Sequence, residues 1–295
     1  MALRTALFAS ALSFAALSCG PPPGMPGGPL ERPGPFLPDT MTAQRMIVIT
    51  NHRPPATLME PTSCNATAYF FDPHPTNQRS RNQLAREAEC VLYPPPVDLQ
   101  LQNQNWLCVG GASITVGPNT ETIAFCPAQM IGNVGAQGLV APVPGCAALQ
   151  MGAMVRASSA MEFSEDQVAD LDLAVAMPAP VVITSPVSMP LGAWPVSGDL
   201  NVRWTSAGST SAIVVLEARD TSGSGGASAS IVCLPGTNGQ VFIPTALLAQ
   251  SNLRTREARL TVATYADRVT TAMGSNPGYR LSAGFSTSVI LQPNR

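Results

Sequence analysis

Proline and glycine interrupt this chain so often that it has little room for long helices. The 295 residues include 29 Pro and 24 Gly, and both residue types break helices and mark turns. Between them lie short segments that are apolar or rich in Ser and Thr, such as residues 46–50 and 122–126. Segments of this length and composition favour β strands. The sequence therefore predicts an all-β protein.

The chain has few charged residues and no lysine. Charged residues make up 12% of the chain, all 16 basic residues are Arg, and the formal net charge is −2. A nucleic-acid-binding protein needs a basic excess and a coiled coil needs charged heptads, so both classes are excluded. The absence of Lys also excludes a Walker-type phosphate loop and Schiff-base catalysis.

Residues 1–18 have the pattern of a secretory signal peptide. Arg4 supplies the positive charge, residues 5–17 form the apolar stretch, and Ala16 and Ser18 are the small residues of the cleavage site. The stretch is shorter than the ~20 residues that a membrane-spanning helix needs. Cleavage by an ordinary signal peptidase after Ser18 is one interpretation, and acylation of Cys19 is the other.

Residues 16–20 (ALSCG) resemble the lipobox of bacterial lipoproteins, in which the cysteine thiol is acylated before cleavage. The family pattern has Leu three residues before the cysteine, where this chain has Ala16. The resemblance implies that Cys19 carries the lipid, with acyl chains such as palmitate, and that this lipid anchors the chain to a membrane. Gly20 stands where an Asp would retain a lipoprotein in the inner membrane, which implies the outer membrane of a Gram-negative cell envelope.

Two further features favour lipidation of Cys19. The chain has seven Cys, and removing Cys19 from this odd number leaves six, which can all pair in an oxidising compartment. Residues 19–40 consist largely of Pro and Gly, and a segment of this composition cannot bury a core. We therefore predict a signal peptide at residues 1–18 and a lipidated, disordered tether at residues 19–40.

The rest of the chain is predicted to form two β-rich domains, at residues 41–177 and 178–295. In the second, about seven short strands separated by turns are typical of a β-sandwich. Leu200, Val202 and Trp204 alternate with polar residues and therefore share one face of a strand. Residues 245–250 favour a helical turn in the second domain. The polar residues 77–89 favour one or two helical turns in the first.

The second domain also carries a resemblance. Its segments VITSP, SGDLNVRWTSAG and AIVVLEA, within residues 182–218, resemble the Ig-like or fibronectin-type modules of secreted lipoproteins and fungal cell-wall proteins. Residues 231–250 are similar to a recurring segment of uncharacterised bacterial lipoproteins. The resemblance covers residues 178–295 and implies an Ig-like β-sandwich in which the strand Trp is a core residue. This fold hosts many functions, so the resemblance does not define a function.

Disulfides are favoured over a metal site for the six remaining cysteines, because the chain has no C-x-x-C and no His at ligand spacing. Cys108 and Cys126 flank a predicted hairpin, so we expect them to pair. Cys64–Cys90 is the second expected disulfide, although six cysteines allow 15 connectivities. Cys146 and Cys233 would then be left to join the two domains. The candidate disulfide residues are Cys64, Cys90, Cys108, Cys126, Cys146 and Cys233.

Aromatic and histidine side chains are the next candidates for a site. Trp204 lies on the inward face of its strand, and Trp106 lies beside Cys108, so both are expected in the core. Trp194 is expected to be exposed, which makes it the candidate ligand contact. His52 and His74 stand near prolines and are predicted to be exposed loop residues. A catalytic role for them is not favoured, since no G-x-S-x-G segment supplies a serine nucleophile.

An acidic cluster precedes residue 178 and could supply oxygen ligands for Ca²⁺. Its spacing does not match an EF-hand, so a solvated connector is the favoured interpretation. No catalytic residue, metal or cofactor is predicted. The cluster consists of Glu162, Glu165, Asp166, Asp170 and Asp172.

Taken together, these patterns predict a membrane-anchored extracytoplasmic lipoprotein with a structural, adhesive or partner-binding role. Its expected partners are the membrane, through the N-terminal lipid, and an envelope protein or glycan, but no nucleic acid. An exported hydrolase of envelope glycans is one alternative, and it requires two carboxylates in a pocket, or a His beside an acid and a Ser. A carbohydrate-binding module is another, and it requires Trp194 or a Tyr on an open sheet face.

Overall fold

A computed structural model describes residues 43–54, 62–70, 85–93, 109–125, 139–143, 145, 149–159, 171–186, 192–194, 198–218, 229–270 and 278–292. The predicted signal peptide, Cys19 and the tether lie outside these residues and stay predictions. No helix of the described part is long and apolar enough to cross a membrane.

The described residues form mainly β strands, which confirms the all-β class. One α helix, α1 (Thr245–Ser251), and a short 3-10 helix (Leu253–Thr255) accompany them. The helical turn predicted at residues 245–250 is therefore confirmed. The strands are β1 (Ala43–His52), β2 (Ser63–Phe70), β3 (Ala85–Glu87), β4 (Cys90–Tyr93), β5 (Val109–Val116), β6 (Asn119–Phe125), β7 (Leu139–Pro142), β8 (Met154–Ser159), β9 (Leu171–Ala176), β10 (Val182–Ser185), β11 (Gly192–Ala193), β12 (Leu200–Thr205), β13 (Ser211–Ala218), β14 (Ser230–Cys233), β15 (Gln240–Ile243), β16 (Ala258–Val269) and β17 (Gly278–Gln292).

The strands form three sheets. The largest has the order β3-β4-β14-β13-β16-β17-β1-β2-β7, with β11 pairing with the end of β17. The second has the order β6-β5-β8-β9 and the third β10-β12-β15. Strands from both sides of residue 177 pair within the largest sheet, so the predicted domain boundary does not separate two sheets.

The longest strand, β17, lies in the middle of the largest sheet, antiparallel to β16 and parallel to β1. Its apolar residues alternate with small ones, so that one face carries Leu281, Ala283 and Phe285, all fully or almost fully buried. Ile47 of β1 and Leu260 of β16 are buried on the same face, which we call the core face. Burial of each large apolar side chain contributes about 1.5–3 kcal/mol.

The sheet β10-β12-β15 supplies further buried residues to the same core. Leu200, Val202 and Trp204 of β12 point inward and alternate with more exposed residues, as the sequence predicted. The Thr264 hydroxyl on the core face donates a hydrogen bond of 2.9 Å to the Ser206 hydroxyl, directly after β12. This sheet therefore packs against the core face.

The helical turn predicted for residues 77–89 is not formed by residues 85–89. Residues 77–84 lie outside the described part. Residues 85–87 form β3, which pairs with β4 through a tight turn in which Ala88 has a φ of 51°. Glu87 is exposed at this edge of the sheet, and charged side chains are common on edge strands. Strand pairing thus overrides the helical preference of this polar segment.

Gly284 allows a side chain to cross the central strand. It lies between Thr50 of β1 and Tyr265 of β16 in the register of the three strands. The Tyr265 hydroxyl is 3.0 Å from the Thr50 hydroxyl, so the tyrosine reaches over Gly284 to the second strand along. A Cβ at position 284 would overlap the Thr264 carbonyl oxygen and lie 2.8 Å from Tyr265 Cδ1.

We expect Gly284→Ala to lower the free energy of unfolding by about 1–3 kcal/mol, because the added methyl group overpacks a closed position. Urea unfolding of both proteins measures the difference. Gly236→Ala is the matched control, since a Cβ there has no atom within 4 Å. Equal losses in the two variants would contradict the close approach at Gly284.

Candidate functional site

The three central strands carry buried polar side chains on the side opposite the core face. Within the sheet, His52 is opposite Ser286, and Thr261 is opposite Ser288. Buried polar groups need hydrogen-bond partners, and this register supplies them. We call this surface the polar face, and its polar side chains include Thr50, His52, Thr261, Tyr265, Asp267, Ser282, Ser286 and Ser288.

His52 is buried, with 6% of its surface exposed, so the prediction of an exposed loop histidine is wrong for this residue. The physical reason is that β1 continues through His52, whose ring Nδ1 lies 3.0 Å from the Ser286 hydroxyl. Ser286 is itself fully buried. A hydroxyl inside the sheet is not accessible to a substrate, so this His–Ser pair has a structural role. His74 lies outside the described residues.

Arg53 directly follows β1 and contacts β17 on the side of the core face. Its backbone N–H donates to the Ser286 carbonyl oxygen at 2.8 Å, which extends the pairing of β1 with β17 by one residue. Its guanidinium carbon lies 4.7 Å from the centre of the Phe285 ring, within the range of a cation–π contact. The same guanidinium donates to the Leu149 carbonyl oxygen. Arg53 thus joins β17 to the segment that precedes β8.

Asp267 lies at one end of the polar face, and only 11% of its side chain is exposed. The Arg280 guanidinium contacts both of its carboxylate oxygens, at 3.1 and 2.8 Å. Hydroxyls of Ser282, Ser211 and Thr210 donate further bonds of 2.5, 2.6 and 2.9 Å. The carboxylate therefore links β13, β16 and β17 and has its acceptor sites filled by protein donors.

These surroundings shift two pKa values in opposite directions. Burial raises the pKa of the Tyr265 phenol to about 12, and the negative charge of Asp267 adds to the increase, while the hydrogen bond with Thr50 opposes it. Burial also raises the pKa of Asp267. The hydrogen bonds from Ser211 and Ser282 and the charge of Arg280 outweigh that effect, so its pKa lies below the usual value. Both groups keep their ordinary charge near neutral pH.

Cys90 and Cys233 form a disulfide between residues 143 positions apart in the sequence. They are direct partners in the pairing of β4 with β14, with Cα atoms 4.0 Å apart. The predicted Cys64–Cys90 pairing is therefore wrong, and Cys233 is not left for Cys146. Neighbouring strands bring distant cysteines together, which residue spacing does not indicate. Cys64 is also disulfide-bonded, and Cys108, Cys126 and Cys146 lie outside the described residues.

Trp194, the candidate ligand contact, is buried, with only 2% of its surface exposed. The prediction of an exposed side chain at this position is wrong. The preceding residues, Gly192 and Ala193, form β11 and pair with the end of β17, which draws Trp194 into the core. Trp204 is in the core as predicted, and Trp106 lies outside the described residues. Trp194 therefore offers no exposed surface for stacking on a sugar.

Within the described part of the chain, no group of three His, Cys, Asp or Glu side chains could hold a metal ion. Asp172 of the predicted acidic cluster lies on β9 and accepts two bonds of 2.7 Å from the Arg156 guanidinium of β8. This ion pair is exposed and lowers the pKa of Asp172 through the hydrogen bonds from Arg156. Glu162, Glu165, Asp166 and Asp170 lie outside the described residues.

The outer face of the sheet β10-β12-β15 exposes both apolar and polar side chains to solvent. It was not among the candidate sites predicted from the sequence. Phe242 of β15 is 49% exposed and lies opposite Asn201 of β12. Arg203 of β12 is exposed and lies opposite Gln240, while Val182 of β10 is 55% exposed. The alternation of β12 around Trp204 could have identified this face, because it places Asn201 and Arg203 outward. We call it the outer platform, and it consists of Val182, Asn201, Arg203, Thr205, Gln240 and Phe242.

The comparisons with known proteins assign no family. Neither the protein-family models nor the curated proteins yield a match to this chain.

We expect the stability of this protein to fall at acid pH through Asp267. Its pKa is lower in the folded state than in the unfolded state, so its contribution is complete above the unfolded value of about 3.9. That contribution is lost as the pH falls through the lower, folded value. Asp267→Asn should cost roughly 2 kcal/mol at pH 7 and reduce the dependence of stability on pH between 5 and 2.

Urea unfolding at a series of pH values measures this effect. Asp172→Asn is the control, because its ion pair is exposed and exposed pairs contribute little to stability. An unchanged pH profile in Asp267→Asn would show that the hydrogen bonds around this carboxylate do not stabilise the fold.

Proposed function

We propose that this protein is an exported lipoprotein, anchored in the cell envelope through Cys19, whose folded part binds an extracytoplasmic partner in a structural or adhesive role. We also propose that residues 178–295 are related to the Ig-like modules of secreted lipoproteins, and that the anchor lies in the outer membrane. The proposed order of anchor, tether and folded part follows from three features of the sequence. They are the predicted signal peptide, the cysteine directly after it and the Pro- and Gly-rich residues 20–40.

The Cys90–Cys233 disulfide is the observation that carries the proposal of export. It joins two strands through residues that are both fully buried, so it belongs to the core of the fold. Structural disulfides of this kind persist in oxidising compartments such as the periplasm and the cell surface. Cys64 is disulfide-bonded as well. The cysteines of the folded part thus agree with the secretory pattern of residues 1–18.

The inward-facing polar residues support a binding or structural role more than a catalytic one. His52 and Ser286, the pair that a hydrolase could use, are buried within the sheet. The Asp267 carboxylate is engaged by Arg280 and by serine and threonine hydroxyls. A catalytic group must be able to reach its substrate, whereas these groups hold strands together.

A carbohydrate-binding role is a second candidate, favoured by the outer platform. This face offers Phe242 and several polar side chains to solvent. Binding sites for sugars combine an apolar surface with a few well-placed polar groups. The sequence assigned this role to Trp194 or a Tyr on an open sheet face. Trp194 is buried, and Phe242 offers an exposed aromatic ring in its place.

Lipidation of Cys19 can be tested by growing cells that express the full chain with labelled palmitate. We expect the label to be incorporated into the wild-type chain and the protein to fractionate with membranes. Cys19→Ala should lose both the label and the membrane association, because no other thiol stands at the predicted cleavage site.

Ser18→Ala serves as the control, since it keeps a small residue before Cys19. Equal label in the wild-type chain and in Cys19→Ala would refute the lipid anchor, as would a wild-type chain without label.

A further inference from the structure

We propose that the outer platform binds an acidic polysaccharide, with Phe242 stacking on a sugar ring and Arg203 binding a sugar carboxylate. This inference rests on the proposed function, because it names the class of partner that the exported protein would meet. The ligand class follows from the side chains that the three strands place outward and from their charge.

The register of the strands brings the two main contact residues close together. Phe242 lies directly opposite Asn201, and Gln240 lies directly opposite Arg203. Phe242 and Arg203 are therefore diagonal neighbours, and such residues lie about 7–8 Å apart, within reach of long side chains. Side chains placed side by side on neighbouring strands can contact successive sugars of an extended chain.

The exposed polar side chains of the outer platform have no partner in the part of the chain that the structure describes. Arg203, Thr205 and Gln240 are exposed, and no described residue forms a hydrogen bond or ion pair with any of these side chains. The Asn201 side-chain oxygen, beside Phe242, is buried and accepts no hydrogen bond from any described residue. The exposed side chains of Arg203, Thr205 and Gln240 therefore leave donors and acceptors available for an external ligand.

The exposed face of the sheet β6-β5-β8-β9 shows the opposite arrangement. Arg156 binds Asp172 through two hydrogen bonds, and the Thr115 and Thr120 hydroxyls lie 3.1 Å apart. These two pairs of polar side chains therefore satisfy each other. The outer platform differs from this face in that its arginine, Arg203, has no carboxylate partner among the described residues.

Charge selects an acidic ligand over a neutral one. Arg203 is the charged member of the outer platform, which contains no carboxylate. Asp199, two residues before Asn201, has its carboxylate oxygen engaged by the backbone N–H and hydroxyl of Thr245, at 2.8 and 2.9 Å. The whole chain has a net charge of −2 and does not attract polyanions in general. Binding of a polyanion must therefore depend on a local site.

Phe242 and Arg203 would contact different groups of the ligand. The face of a sugar ring that carries C–H groups is apolar and packs on the Phe242 ring, which is half exposed in the free protein. The planar guanidinium of Arg203 matches a carboxylate and forms paired hydrogen bonds with it. Gln240 carries an exposed amide group that can bond sugar hydroxyls. No covalent step is involved.

The test is a calorimetric titration of the purified full chain with a hexamer of galacturonic acid. We expect binding that weakens as salt is added. Arg203→Ala and Phe242→Ala should each lower the affinity about tenfold or more, whereas Phe242→Tyr should retain it because the ring is kept. Arg268→Ala is the matched control, since this arginine is exposed but lies outside the platform. It should bind like the wild-type chain.

Three results of the titrations would overturn the inference. The first is no binding of the acidic hexamer, and the second is equal binding of a neutral glucose hexamer. The third is an affinity that Arg203→Ala and Phe242→Ala leave unchanged. Vesicles containing phosphatidylglycerol test the other source of negative charge, and equal dependence of vesicle binding on Arg203 and Phe242 would also overturn the assignment to a glycan. Unchanged unfolding midpoints in all variants confirm that they are folded.

Failure of this inference can be distinguished from failure of the proposed function. If the chain incorporates palmitate at Cys19 but does not bind the acidic hexamer, the lipid anchor is supported and only the glycan proposal is refuted. A chain that binds the hexamer without incorporating palmitate keeps the site and loses the anchor.

Discussion

Burial of β17 on both faces is the constraint on which the rest of the described structure depends. This strand lies between β16 and β1, and its neighbours come from opposite ends of the folded chain. Its Leu and Phe side chains fill the core face, and its Ser side chains fill the polar face. A strand buried on both sides can accept polar residues only where cross-strand partners satisfy them. Thr261 supplies such a partner for Ser288, with 2.9 Å between the hydroxyls.

The same requirement separates the inward and outward polar residues of this protein. Inside the sheet, His52, Asp267 and Tyr265 are held by hydrogen bonds to neighbouring strands. They fix the register of the strands and are withdrawn from solvent. On the outer platform, Arg203 and Gln240 face solvent with no partner among the described residues. Ligand binding is therefore expected at the surface of the smallest sheet and not in the polar interior.

Local patterns in the sequence predict the strands but not their partners. The alternation around Trp204 and the apolar residues near Ile47 are visible in the sequence, and both segments form strands. Trp204 also faces inward, as expected. The pairing of β1 with β17 and of Cys90 with Cys233 depends on contacts between segments far apart in the chain. Residue spacing carries little information about such contacts, which is why the predicted Cys64–Cys90 disulfide is wrong.

Exposure was the other property that local patterns could not predict. His52 and Trp194 both lie near prolines and were expected at the surface, yet strand pairing next to each residue buries it. Phe242 stands in an apolar segment with no sign of exposure, and it faces outward because Val241 and Ile243 take the inward positions. In a chain of short strands, one step of register decides which side chain is available to a ligand.

Hydrogen–deuterium exchange of the full chain tests the central role of β17 most directly. If β1, β16 and β17 form one cooperative unit, their amides should be the slowest to exchange and should lose protection together as urea is added. Joint loss of protection across residues 43–52, 258–269 and 278–292 is the predicted result. Loss of protection in β1 at a urea concentration where β16 and β17 stay protected would contradict it.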